Sequence, residues 1–188
     1  MAASPERPVA VLDANVLYPQ FLRDVLLRLA AAELFTPRWT DRIQREWMRN
    51  VAKDRPDIPP GRLDRVRALM EEAFPGARVK GYRASERLFS GVDPKDRHVA
   101  AAALKGGATV IVTRNLRDFP SDALSPHGLS ALDPDHFIHQ FVGRDRSTVA
   151  MTLERHRAAL SRPPYSPAEY RAAFVAAGLV RTAKRLFS

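Results

Sequence analysis

The chain has 188 residues, no cysteine and a formal net charge of +9. The length fits one domain, with room for a small appendage and a sizeable core. The absence of cysteine excludes disulfides, thiolate catalysis and cysteine-ligated zinc or iron–sulfur sites, and is compatible with a cytoplasmic location. The segment 1–8 reads as a short flexible N-terminus without the apolar stretch of a signal peptide. No apolar run approaches the roughly 18–20 residues of a membrane span. The basic excess, mostly arginine, points to a polyanionic partner such as nucleic acid, because the guanidinium fork suits phosphate. Base composition of the genome and a solvated surface are the competing explanation.

Taken in chain order, Val9 to Leu12 reads as a buried strand ending at Asp13. A helix opens at Pro19, with Leu22, Val25, Leu26 and Leu29 on one stripe. That stripe suits the core, although one edge could meet a second copy or a partner helix. Leu34 and Phe35 suggest a short strand. Thr40 is a plausible cap for a helix to about Val51, buried along Ile43, Trp47 and Val51, with Glu46 on the edge of that face. Residues 54–61 hold three prolines and read as a loop. A helix follows from about Arg62 to Phe74, then a possible strand from Ala77 to Tyr82. Asp93-Pro94 predicts a helix start, running to Leu104 or Lys105 and stopped by Gly106-Gly107. Asp96, Val99, Ala100 and Ala103 share one face, from which Arg97 and His98 point away. Ala108 to Thr113 is the clearest strand. Leu129 to Leu132 is another, with Asp133 capping a helix through Phe137, Ile138 and Phe141. Strands alternating with helices indicate an α/β fold with an open, mostly parallel sheet between helices. Two further helices, Ser147 to Ser161 and Pro167 to Ala177, and a basic tail from Arg181 make a C-terminal helical extension over 143–188.

The chemistry gathers in the acids. Asp13 leaves the carboxyl end of the first strand, where α/β sheets bind ligands. Asp96 sits at its helix start, Glu46 on a helix against the sheet, and Asp118 just beyond the second strong strand. Carboxylates sharing a crevice repel unless a cation sits among them, and a hard divalent metal is the usual answer. Each acid also has a plainer explanation. Asp13 caps a turn, Glu46 is a surface acid, Asp96 favours a helix N-terminus, and Asp118 is a turn residue. His136 and His139, with His98 and His156, form no convincing ligand set. A haloacid-dehalogenase-type phosphatase would need a second Asp where Asn15 stands, and no glycine pattern cradles a nucleotide.

The segments Val11 to Leu17, Glu46 on its helix, Asp93 to Ala102 and Val110 to Pro120 resemble PIN-domain ribonucleases. The likeness is in particular to the VapC-type toxins of VapBC toxin–antitoxin systems, over about 9–142. The resemblance implies a PIN-like three-layer sandwich with a central, mostly parallel sheet. It further implies an Mg²⁺- or Mn²⁺-dependent endoribonuclease, with Asp13, Glu46 and Asp96 as its main acids. Where the family usually carries a fourth acid this chain has Asn115, which brings an oxygen but no charge; Asp118 is a candidate to supply the charge. Asn15 and Thr113 are candidates to orient Asp13 or contact substrate, and Arg114 and Arg117 to bind phosphate. The implied partners are RNA, a small antitoxin protein and a second copy of the chain as a homodimer. The alternative is a catalytically degenerate PIN module that binds RNA or a protein without cutting.

Overall fold

A computed structural model describes residues 7–187 apart from Arg162. The predicted N-terminal segment therefore falls largely outside the described residues. Pro8 is described, and its carbonyl accepts from the Thr36 amide at 2.9 Å.

Strands β1 (Val9–Leu12), β2 (Thr36–Arg38), β3 (Val110–Val112) and β4 (Ser130–Leu132) form one sheet in the order β2-β1-β3-β4. All three pairings are parallel, with Val11 opposite both Arg38 and Ile111. Parallel strands are buried on both faces, which is why β1 and β3 are written in valine, alanine, leucine and isoleucine. Ala10, Val11, Leu12, Ile111 and Val112 have no exposed surface. Full burial of a side chain of leucine or isoleucine size contributes about 1.5–3 kcal/mol. The order places β1 where the chain reverses its direction of winding, so the crevice lies beyond the carboxyl ends of β1 and β3.

Between β1 and β2 run a single-turn helix α1 (Ala14–Leu17) and α2 (Gln20–Ala31). Helices α3 (Asp41–Asp54), α4 (Pro60–Ala73) and α5 (Arg97–Lys105) lead to β3. The α5 segment Val99 to Ala103 is completely buried, four of its five side chains being alanine, and α5 packs on β1 and β3. The short α6 (Ser121–Leu124) precedes β4, and α7 (Pro134–Arg144) follows it. The extension consists of α8 (Arg146–Ala159), α9 (Pro167–Ala176) and α10 (Val180–Leu186). The result is an α/β sandwich. Among the described residues no helix is long and apolar enough to cross a membrane.

Several local expectations differ from what forms. The strand expected at Leu34-Phe35 starts at Thr36 instead. Glu33 adopts a left-handed φ of 63°, and the Leu34 amide turns back to the Leu29 carbonyl at 3.2 Å. The close of α2 thus consumes the backbone a strand would need. Phe35 points into the core against Phe137 and Phe141. The strand expected at 77–82 is reduced to one parallel bridge between Trp39 and Arg78, because β2 ends beside it and Gly81 turns away at φ 69°. The helix expected from Asp93-Pro94 begins only at Arg97, after a turn in which the Asp96 amide donates to the Asp93 carbonyl. His98, off the face shared by Asp96, Val99, Ala100 and Ala103, is buried as well. The basic tail is helical over α10, with Thr182 and Ala183 buried. Helix α1 has no counterpart in the sequence pattern, since one turn is too short to show a period.

The extension is docked on the domain. Helix α8 packs on α2, and Phe21 meets His156, Tyr170 and Phe174 edge-on or tilted at 5.4–5.7 Å. Leu22, Val25, Leu26 and Leu29 are wholly buried. The α2 stripe is therefore core, covered in part by the extension.

Candidate active site

Asp13 leaves β1 with its amide bonded to the Val112 carbonyl at 3.1 Å, so the last rung of the sheet fixes its backbone. Its carboxylate is then held on both oxygens. Oδ1 accepts from the Ala14 amide at 2.6 Å, which caps α1. Oδ2 accepts from Asn15 Nδ2 at 2.6 Å and from Thr113 Oγ1 at 2.8 Å. Asp13 thus caps α1 and also lines a cleft. Asn15 Nδ2 lies 2.9 Å from Thr113 Oγ1, and Asn15 Oδ1 accepts from the Arg114 amide at 3.0 Å. Asn15 therefore links the carboxyl ends of β1 and β3. Asp13 is only 4% exposed, and this burial raises its pKa against the lowering effect of the hydrogen bonds, with the Glu46 charge adding to the rise.

Asp13, Asn15, Glu46, Asp96 and Asn115 line one cleft of about 370 Å³, together with Arg42, Arg49, Asn50 and Lys95. Asp96 occupies the cap position of α5 but makes no capping bond, so its carboxylate is not spent on the helix. Its pKa is pushed up to about 6 by burial first and then by the negative charges of Asp13, Asp118, Asp93 and Glu46. That shift places Asp118 within electrostatic reach of Asp96, although Asp118 does not line the cleft. Asp118 closes a turn from Asn115 at 3.0 Å, and its carbonyl accepts from the Asp93 amide at 3.1 Å.

Glu46 accepts a hydrogen bond at one oxygen and has a histidine ring near the other. Arg42 Nε donates to Oε1 at 3.0 Å, and His98 Nε2 lies 3.5 Å from Oε2. Burial lowers the His98 pKa to about 4, with Arg42 adding to the effect, so at neutral pH the ring is uncharged. Its contact with Glu46 is therefore polar and not an ion pair. Among the described residues no three acidic or histidine groups are close enough together to hold an ion as they stand.

Of the remaining predicted site residues, Thr113 is buried beneath the cleft, where its hydroxyl accepts from the Asn115 amide at 3.1 Å. Arg114 turns its guanidinium to the C-terminal extension, donating from Nη2 to the Ala177 carbonyl at 2.9 Å. Arg117 is exposed on the turn after β3, outside the cleft lining. The cleft cations are instead Arg42, Arg49 and Lys95. Sequence reasoning passed over them, yet Arg42, Arg49 and Asn50 lie four before, three after and four after Glu46, which is the spacing of one helix face. A larger cavity of about 490 Å³ lies between the start of α2 and the α3–α4 connection. It contains none of the clustered acids, so size does not identify the reactive site here.

Residues 9–117, more than half the chain, match the PIN domain family. Residues 134–187 match the family described as VapC50 C-terminal domain. A protein of Mycobacterium tuberculosis (strain ATCC 25618 / H37Rv) named "Putative ribonuclease VapC50" is 46% identical over 74 residues, covering 39% of this chain and 43% of that protein. The match thus spans less than half the length of that relative. No solved structure is significantly similar to the chain.

Proposed function

The chain belongs to the PIN-domain family, and from that premise we propose that it is a metal-dependent endoribonuclease hydrolysing RNA phosphodiester bonds. The observation that carries this reading is the convergence of Asp13, Glu46 and Asp96 on one cleft, with Asp13 fixed by Asn15 and Thr113. The donor set suits a hard divalent cation, Mg²⁺ or Mn²⁺. It is all oxygen, and the Asp96 carboxyl, raised first by burial, is raised further by the carboxylates around it. Asp13, Glu46 and Asp96 would hold the ion, with Asp118 supplying charge from behind and Asn115 an amide oxygen at the rim. Such an ion supplies Lewis-acid activation of water and neutralises charge on the scissile phosphate. The protein contributes position. Asn15 and Thr113 hold the Asp13 carboxylate in one rotamer, and the buried neutral His98 supports Glu46 from below.

The M. tuberculosis relative is named as a VapC, and the extension matches a VapC50 family. We accordingly place this chain as the toxin of a toxin–antitoxin pair, with a small antitoxin protein as partner. A homodimer belongs to the same proposal and is tested by sedimentation; the buried α2 stripe would not supply its interface. Cleavage of RNA that stops with EDTA and returns with Mn²⁺, but is absent in Asp13→Asn and Asp96→Asn, is the expected result. Wild-type cleavage in both variants would overturn the assignment. The second reading, a PIN module that binds without cutting, draws on neutral Asn115 in the cleft and on the engagement of Glu46 by Arg42. It predicts metal and RNA binding with no cleavage under any ion.

A further inference from the structure

We infer that Arg49 and Lys95 are the phosphate contacts of the cleft, so that the substrate backbone crosses the α3 face between them and does not run over the turn after β3. The inference rests on the nuclease reading and adds the path of the substrate.

The cleft lining carries three acids, Asp13, Glu46 and Asp96, and three cations, Arg42, Arg49 and Lys95. They are not equivalent. Arg42 is committed: Nε donates to Glu46, and Nη2 reaches the Lys95 carbonyl at 3.2 Å, tying α3 to the turn before α5. Arg49 and Lys95 are exposed, and among the described residues neither has an ion-pair partner. They stand on different elements, one on α3 and one on the turn ahead of Asp96, so a chain lying between them passes over the acids. Arg49 lies one turn beyond Glu46 on α3, roughly 5 Å along the axis. Asn50 beside it offers an amide to a sugar or base edge.

Charge supports the same path. The formal sum of the lining is zero, three acids against three cations. A divalent cation among the acids makes it positive, which suits a polyanion. Arg114 is a poor alternative, because its guanidinium already caps the Ala177 carbonyl.

The test is equilibrium binding of a fluorescent single-stranded RNA oligonucleotide in EDTA, where cleavage does not interfere, read by anisotropy over a range of salt. Each phosphate contact contributes a log–log slope of about −0.7. The Arg49→Ala/Lys95→Ala double variant should flatten the slope by about 1.4, and each single variant by half of that. Circular dichroism should stay at the wild-type value and metal affinity should not fall, since both side chains are exposed and neither is a metal ligand. An unchanged slope in the double variant, or a wild type that neither binds RNA in EDTA nor cleaves it with Mn²⁺ restored, would overturn the path. So would a loss carried instead by Arg114→Ala/Arg117→Ala. The nuclease reading fails separately, if RNA binds with the expected slope but is never cut when Mn²⁺ is restored.

Discussion

Arg42 and Glu46 form an ion pair one helical turn apart, Nε to Oε1 at 3.0 Å, on the wall of the cleft. The pair competes with any cation for the same carboxylate. Its strength decides whether the competition matters. Both side chains are partly exposed, 39% and 24%, and such pairs contribute about 0.3–0.5 kcal/mol. The Arg42→Gln variant should therefore bind Mn²⁺ only about twofold more tightly by calorimetric titration. A tenfold gain would mean that Arg42 locks Glu46 away and acts as an internal inhibitor.

Asp96 makes an opposite pair of predictions for stability and activity. Its folded-state pKa, about 6, lies above the ordinary 3.8. The native state therefore binds the proton more tightly than the unfolded chain, and stability falls as pH rises from about 4 to 6. Above that window the ionised group is a standing destabilisation in metal-free protein. Asp96→Asn should raise the metal-free Tm at pH 7 while abolishing cleavage. A variant less stable than wild type at pH 7 would show that Asp96 makes favourable contacts that outweigh the crowding.

Asn115 and Asp118 separate by where they stand. Asn115 lines the cleft, whereas Asp118 acts on Asp96 only through its charge. Asn115→Asp should tighten Mn²⁺ binding and push the Asp96 pKa higher still, since another acid then faces it. Asp118→Asn should lower the Asp96 pKa and weaken the metal modestly. NMR titration of the Asp96 carboxyl together with calorimetry reads both. No shift at Asp96 in either variant would remove both residues from the site.

Much of this was legible in the sequence, for identifiable reasons. Asp13 could be read because Val9 to Leu12 is apolar on both faces, which marks a parallel strand and fixes which end carries ligands. Glu46 could be read from the Thr40 cap and the Ile43–Trp47 stripe, which set the phase of α3. The Asp93 turn was mistaken for a helix because Asp-Pro suits both, and only the backbone bond from Asp96 to Asp93 decides. The burial of His98 was not legible because the periodicity of α5 describes its contact with the sheet, while Glu46 of α3 meets it on a second side. The cleft cations were missed for a related reason. Arg114 and Arg117 stood next to the acids in sequence, but Arg49 and Lys95 are next to them in space. The route of Arg114 to Ala177 depends on where the extension packs, and no local pattern reports that.

Two buried histidines give the protein an acid limit of their own. His98 and His156 both have pKa values lowered from 6.5 to about 4, chiefly by burial. Above pH 6.5 each is neutral folded and unfolded, and stability is full. As pH falls from 6.5 toward 4 the unfolded chain takes up protons that the native state refuses, so stability is lost. Asp96 works in the other direction over part of this range, so the measurement is cleaner in Asp96→Asn. There, urea midpoints should fall steadily from pH 6.5 to 4. His156→Gln should flatten that slope by about half if the two histidines contribute equally. A slope unaffected by either histidine would place the acid sensitivity elsewhere.

The last prediction concerns how the extension is fastened. Asp135 in α7 is 7% exposed and sits at the start of α10. Its oxygens accept from the Arg181 amide at 2.8 Å and the Thr182 amide at 2.9 Å. These are orphan donors of a helix N-terminus, and a carboxylate placed there satisfies both and favours the helix dipole. Asp135→Ala leaves two donors in or near the interior without a partner, at about 1–3 kcal/mol each. The loss should concentrate in α10, which packs on α7. Hydrogen exchange of Val180–Leu186 should accelerate by about 1.5 to 4 orders of magnitude, at about 1.4 kcal/mol per factor of ten. Asp135→Asn, which keeps an acceptor oxygen, should cost less. The cleft acids stand on β1, α3 and the α5 turn, none of which touches Asp135 by hydrogen bond. Cleavage per folded molecule should therefore stay near wild type in Asp135→Ala. A selective loss of kcat with α10 still protected would mean instead that the extension reaches the chemistry, through Arg114 and the Ala177 carbonyl.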